Sequence, residues 1–125
     1  MTKTNELKKN LQELFETLTT NVFAEDADKD TPYPYLVFET QELFNVDNKT
    51  VYELEVNLLD YGVSTRAIDT LADDMQKLLH QYYFIDEKIQ FTVYKINKNT
   101  VKEEDKKIRR RRLTFEIQLH ESIGG

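Results

Sequence analysis

Cysteine is absent from the 125-residue chain, and so is tryptophan. Without thiols there is no disulfide framework, no thiolate nucleophile and no cysteine-based zinc site. That is compatible with a reducing cytoplasm. Glycine occurs three times, at 62, 124 and 125, and proline twice. A phosphate-cradling loop or a dinucleotide fingerprint needs clustered glycines, so neither exists here. Few breakers also mean that most of the chain belongs to regular elements. Of the two histidines, His80 falls on the polar side of a predicted helix and His120 on the polar face of a predicted strand. Neither has a second histidine at ligand spacing, so a zinc site would need ligands gathered from far apart. Ser64 sits in no Gly-x-Ser-x-Gly elbow and reads as a helix cap. Carboxylates are abundant but fall almost entirely on solvated faces and loops. Enzymatic activity, a cofactor and a resident metal are therefore not expected. No apolar run approaches the ~20 residues of a membrane helix, and MTKTNELKK at the start is polar. The expectation is a protein neither exported by a standard signal nor embedded in a membrane.

What is present is alternation. From Leu113 the sequence places Leu113, Phe115, Ile117 and Leu119 on one side and Arg112, Thr114, Glu116, Gln118 and His120 on the other. This is a strand with one apolar and one wet face. Val51–Leu59 alternates likewise, with Tyr52, Leu54, Val56 and Leu58 opposite Glu53, Glu55 and Asn57. Leu36–Phe38 and Ile89–Ile96 read as two further strands, with a bulge near Lys95 and Ile96 where the alternation breaks. Pro32 and Pro34 place the segment before Leu36 at the edge or start of a sheet. Leu7, Leu11, Leu14, Leu18 and Val22 make one stripe of a helix from Asn5 to about Phe23, capped by Thr4 or Asn5. Ile68, Leu71, Ala72, Met75, Leu78, Leu79 and Tyr82 make a second, capped by Ser64 or Thr65. Glu42–Thr50 is expected as a loop with Asp47-Asn48 as its turn, and Asn97–Lys106 as a long charged loop. Asp26, Asp28 and Asp30 have calcium-loop spacing, but Thr31 and Val37 stand where that motif needs Gly and Glu, so a solvated loop is expected. The expected fold is a single α+β domain of order α-β-β-α-β-β. In it, two helices pack on one face of a mainly antiparallel four-stranded sheet in two layers.

Charge is uneven. The net charge is −6, which repels nucleic acid overall. Val101–Arg112 nonetheless carries seven basic against three acidic residues, net +4, leaving −10 on the remainder. Arg109, Arg110, Arg111 and Arg112 can fork onto carboxylates or phosphates. They can equally serve as solvated charges flanking an apolar strand. Glu103, Glu104 and Asp105 lie close enough in sequence to neutralise them. Glu53 and Glu55 can pair with Arg110 and Arg112 if the two strands are neighbours, and can meet another chain if they are not. These nine residues are the candidate interface.

TPYPYLVFE, VYELEVNLLDYG leading into STRAIDTLADDMQKLLHQ, and the closing RRRRLTFEIQLHE together resemble the small tail-completion proteins of long-tailed bacteriophages. That family includes tail terminators and tail-to-head joining proteins. The similarity runs from about Thr31 to Glu121. It implies an α+β subunit that assembles with itself into a ring, commonly a hexamer. The ring contacts the tail-tube protein, stops tube growth and offers a surface to the head-completion or connector protein. DNA passes through the lumen without specific binding. The resemblance carries no catalytic residues or cofactor, and implies a place in the virion tail or neck after assembly in the bacterial cytoplasm. Head–tail adaptors and minor capsid proteins of the same neck share this size and class. A stand-alone cytosolic module that binds nucleic acid or protein through the arginine strip is the competing class; the acidic net charge opposes it.

Overall fold

The computed structural model of the chain describes residues 3–19, 21–24 and 31–120. The elements in order are α1 (Lys3–Phe15), β1 (Val22–Ala24), β2 (Tyr35–Val46), β3 (Lys49–Tyr61), α2 (Arg66–Leu79), β4 (Tyr83–Ile85), β5 (Gln90–Lys102) and β6 (Ile108–His120). The strands form one six-stranded sheet in the order β1-β2-β3-β6-β5-β4. β1 runs parallel to β2, and every other neighbouring pair is antiparallel. The expected four-stranded, two-layer α-β-β-α-β-β arrangement is thus overturned. The sheet is larger, mixed and curled. The two unexpected strands have three residues each, too short to show a period of two.

β3 and β6 are the centre. They pair along their whole length, from Lys49↔His120 to Tyr61↔Ile108. Both alternate strictly, so Leu54, Val56, Leu113, Phe115 and Ile117 all reach one side and are fully buried. Burying such a side chain contributes about 1.5–3 kcal/mol. Leu7, Leu11 and Phe15 of α1 and Ile68, Ala72, Met75 and Leu79 of α2 join the same core cluster.

Several expected boundaries move, each for a local reason. α1 ends at Phe15 rather than near Phe23. The amides of Thr17 and Leu18 donate to the carbonyls of Leu14 and Phe15, a tighter turn, and Thr17 Oγ1 donates to Leu14 O at 2.6 Å. Val22 is buried as a strand residue instead. Thr4 lies inside α1 and shares a 2.8 Å hydrogen bond with the Tyr52 hydroxyl. Thr65 precedes α2 without a side-chain capping bond, while Ser64 Oγ accepts from the Arg66 amide at 3.2 Å. α2 stops before Tyr82 because His80 is already extended, with ψ 114°, and Gln81 after it has φ 56°.

The expected loop 42–50 is mostly strand. β2 continues to Val46, and Asp47 and Asn48, with φ of 49° and 64°, close a two-residue hairpin turn. Positive φ at both central residues is the turn whose twist suits paired strands, and Asp and Asn tolerate it. Asn97–Lys102, expected within a loop, extends β5, so the β5–β6 connection is only residues 103–107. The bulge expected near Lys95 is present as a register shift between Lys95 and Asn97, and β2 has its own between Glu42 and Phe44. The acidic stretch 25–30 and the tail 122–125 lie outside the described residues.

Candidate functional site: the arginine strip and the wet face

Alternation along β6 divides the four arginines between two faces. Arg110 and Arg112 share the wet face with Thr114 and Glu116; Arg109 and Arg111 emerge on the helix side. On the wet face Arg112 Nε meets Glu55 Oε1 at 2.7 Å. Arg110 donates to Glu103 Oε1 at 3.0 Å and to Asn57 Oδ1 at 2.9 Å. Adjacent placement of β3 and β6 therefore realises the cross-strand pairing for Glu55. Glu53 is level with Glu116 instead. Asp105 accepts the Lys107 amide at 2.9 Å and shapes the β5–β6 turn, where Glu104 is exposed.

The helix-side arginines fasten other elements. Arg109 donates to the carbonyls of Gly62 and Val63, both at 3.0 Å. Arg111, with a side chain only 12% exposed, donates from Nε to Asp69 Oδ1 at 2.8 Å in the first turn of α2. That hydrogen bond, more than any other contact, holds the Asp69 carboxyl below the usual carboxylate range. Sequence spacing gave no sign of Asp69, Asn57 or the Gly62 carbonyl as partners, because they lie 42 to 53 residues from the arginines they meet.

A groove of about 380 Å³ beside the β5–β6 turn is lined by Lys102, Glu103, Lys106 and Arg109–Arg111. Two of its arginines are committed to carboxylates, Arg110 to Glu103 and Arg111 to Asp69, while Arg109 binds neutral backbone carbonyls, so Lys102, Lys106 and Arg109 leave the groove net positive. At the same end of the sheet the rings of Tyr33 and Tyr35 lie 5.3 Å apart, and those of Tyr33 and Tyr61 5.7 Å apart. Burial, followed by neighbouring Tyr33, pushes the Tyr35 hydroxyl pKa up, against the pull of Arg110. Among the described residues no group of three or more acidic or histidine side chains is placed to hold a metal ion. Among them, too, no helix is long and apolar enough to cross a membrane. The strip's geometry is that of a cross-strand ionic network over a curled sheet, able to stiffen a surface and present mixed charge to a macromolecule.

No family model matches the chain, and no curated protein does. Solved structures do. A chain of the virion of a native gene transfer agent particle matches at TM-score 0.66 and 13% identity, over 86% of this chain and 84% of that one. Another solved chain, which carries no descriptive name, matches at TM-score 0.69 and 11% identity, over 93% and 92%. At these identities the likeness is one of fold.

Proposed function

We propose that this chain is a structural protein of a tailed virion. It forms a ring at the head-proximal end of the tail, ends tail-tube growth and joins the tail to the head connector. The observation that carries the reading is the likeness, across more than four-fifths of both chains, to a subunit of a gene transfer agent virion. The tail-completion resemblance of the Pro-Tyr strand, the Asp-Tyr-Gly strand end and the arginine-rich last strand supports the same position. Its partners are further copies of itself, six in the commonest arrangement, together with the tail-tube protein and the head connector. An acidic body, net −6, suits a passage that DNA must traverse without being held.

The test is addition of the purified protein to growing tail tubes of its own particle, followed by negative-stain imaging. The expected result is an annulus on one tube end and an arrest of lengthening. Tubes that lengthen unchanged, with no end density, would overturn the reading. Binding to tail-free heads alone would assign the chain to the head side of the neck.

A further inference from the structure

Among the described residues both outer edges of the sheet are only partly covered. β1 pairs with β2 at Leu36, Val37 and Phe38 alone, and β4 pairs with β5 only at Gln90, Phe91 and Thr92. Beyond these, β2 from Glu39 to Val46 and β5 from Tyr94 to Lys102 have no described strand on their outer side. Most of both segments is exposed. An edge of that length presents free N–H and C=O groups to any strand that fits beside it. The two edges differ in sign. The β2 segment carries Glu39 and Glu42 and no base; the β5 segment carries Lys95, Lys98 and Lys102 and no acid.

We propose that the occupant of each edge is a second copy of this chain. The free edge of β2 in one subunit pairs antiparallel with the free edge of β5 in the next, so that the sheet runs on from subunit to subunit. Direction follows from the fold. β2 is antiparallel to β3, β3 to β6 and β6 to β5, so β2 and β5 run oppositely. Rotating one subunit about an axis along the strands preserves every direction and face. It brings the neighbour's β5 beside β2, antiparallel, with helices on the same side. Such a head-to-tail contact closes into a ring when the rotation closes. Charge selects it, since joining β2 to β2 would oppose glutamates and joining β5 to β5 would oppose lysines.

One register fits both irregularities. Each edge holds one extra residue, between Glu42 and Phe44 in β2 and between Lys95 and Asn97 in β5. Setting these side by side puts Glu42 opposite Lys98, Asn45 opposite Lys95 and Val46 opposite Tyr94. Glu42 is level with buried Tyr52 and Lys98 with buried Leu113, so both emerge on the helix side. Lys98 already meets Asp73 of α2 at 3.1 Å, and the neighbour's Glu42 adds a second carboxylate. The closed ring rests on the tail-end role proposed above; the pairing of edges rests on the sheet itself.

Because the chain has no cysteine, Glu42→Cys/Lys98→Cys introduces the only two thiols. After mild oxidation at high protein concentration, alone and on tail tubes, denaturing gels are expected to show a ladder ending at a discrete size. Each single-cysteine variant should stay uncross-linked, and a mixture of the two should give dimers only. Independently, Glu42→Lys should raise the concentration at which rings form by about tenfold or more, through like-charge juxtaposition. Glu42→Lys/Lys98→Glu should reverse that rise. Cross-linked dimers from a single variant, or no ladder under either condition, would overturn the pairing. A ladder without tube capping would keep the pairing and remove the tail-end role; capping without a ladder would do the reverse.

Discussion

Arg111 on the central strand β6 holds Asp69 on α2 at 2.8 Å, and so ties the helix to the middle of the sheet. Asp69 has a lower pKa in the folded chain than its ordinary value. The stabilisation is therefore complete above the unfolded carboxylate value of about 3.9 and fades as pH falls through the lower folded one. The Asp69 side chain is 49% exposed, which limits the pair to about 1 kcal/mol. Arg111→Met should lose that amount in urea unfolding at pH 7. The gap between wild type and variant should close as the pH is taken below about 4.

The central pair of the core should be far less forgiving than the hairpin arm. Leu54 is fully buried and level with Phe115 across β3 and β6. Leu54→Ala should cost about 2–5 kcal/mol, from lost transfer energy plus a cavity. Leu43, 46% exposed in β2, should change stability by about 0.5 kcal/mol or less on the same truncation. Chemical denaturation of both variants checks the contrast.

At the β2–β3 turn, Asn48 has φ 64°. Asn48→Gly should leave stability unchanged or raise it by a few tenths of a kcal/mol, because glycine adopts this region freely. Asn48→Val should cost about 1–2 kcal/mol through Cβ crowding. Much of that loss should appear as faster amide exchange around the turn, since 41–48 are exposed and can fray locally.

Arg110 and Arg112 lie on a central strand, away from both sheet edges. Arg110→Glu/Arg112→Glu should retain the far-UV circular dichroism of the wild type while losing its pairs with Glu103 and Glu55. Under edge pairing it should also assemble to the wild-type mass in light scattering. Loss of assembly in a folded variant would place a subunit contact on the wet face instead.

The central strands were readable because their alternation is strict and their apolar positions are all core positions. Leu113, Phe115, Ile117 and Leu119 are each at most 1% exposed. The outer strands were not readable. Asn97–Lys102 and Glu39–Val46 are polar or exposed on both faces, and a bulge shifts the phase of each. With both faces of these stretches mostly exposed, no buried side imposes an apolar–polar alternation. β1 escaped because Val22 also continues the leucine stripe of α1. Of the candidate site, Arg112 with Glu55 and Arg110 with Glu103 could be anticipated from alternation and from nearness in sequence. Arg111 with Asp69 could not, because nothing local indicates which face of α2 lies over β6.

β6 comes last among the described elements, yet it sits at the middle of the sheet, joining β3 across Tyr52↔Ile117 and its neighbours. Synthesis delivers the chain from its N-terminus, so the β2–β3 hairpin is made well before its principal partner. Until residues 108–120 emerge, the apolar side of β3 has a bare flank. The two halves of the sheet cannot be joined by local contacts alone, and closing them waits on a long-range search. Folding of the nascent sheet is thus gated by β6, and a ribosome stalled before that strand holds a half-sheet exposed to other chains.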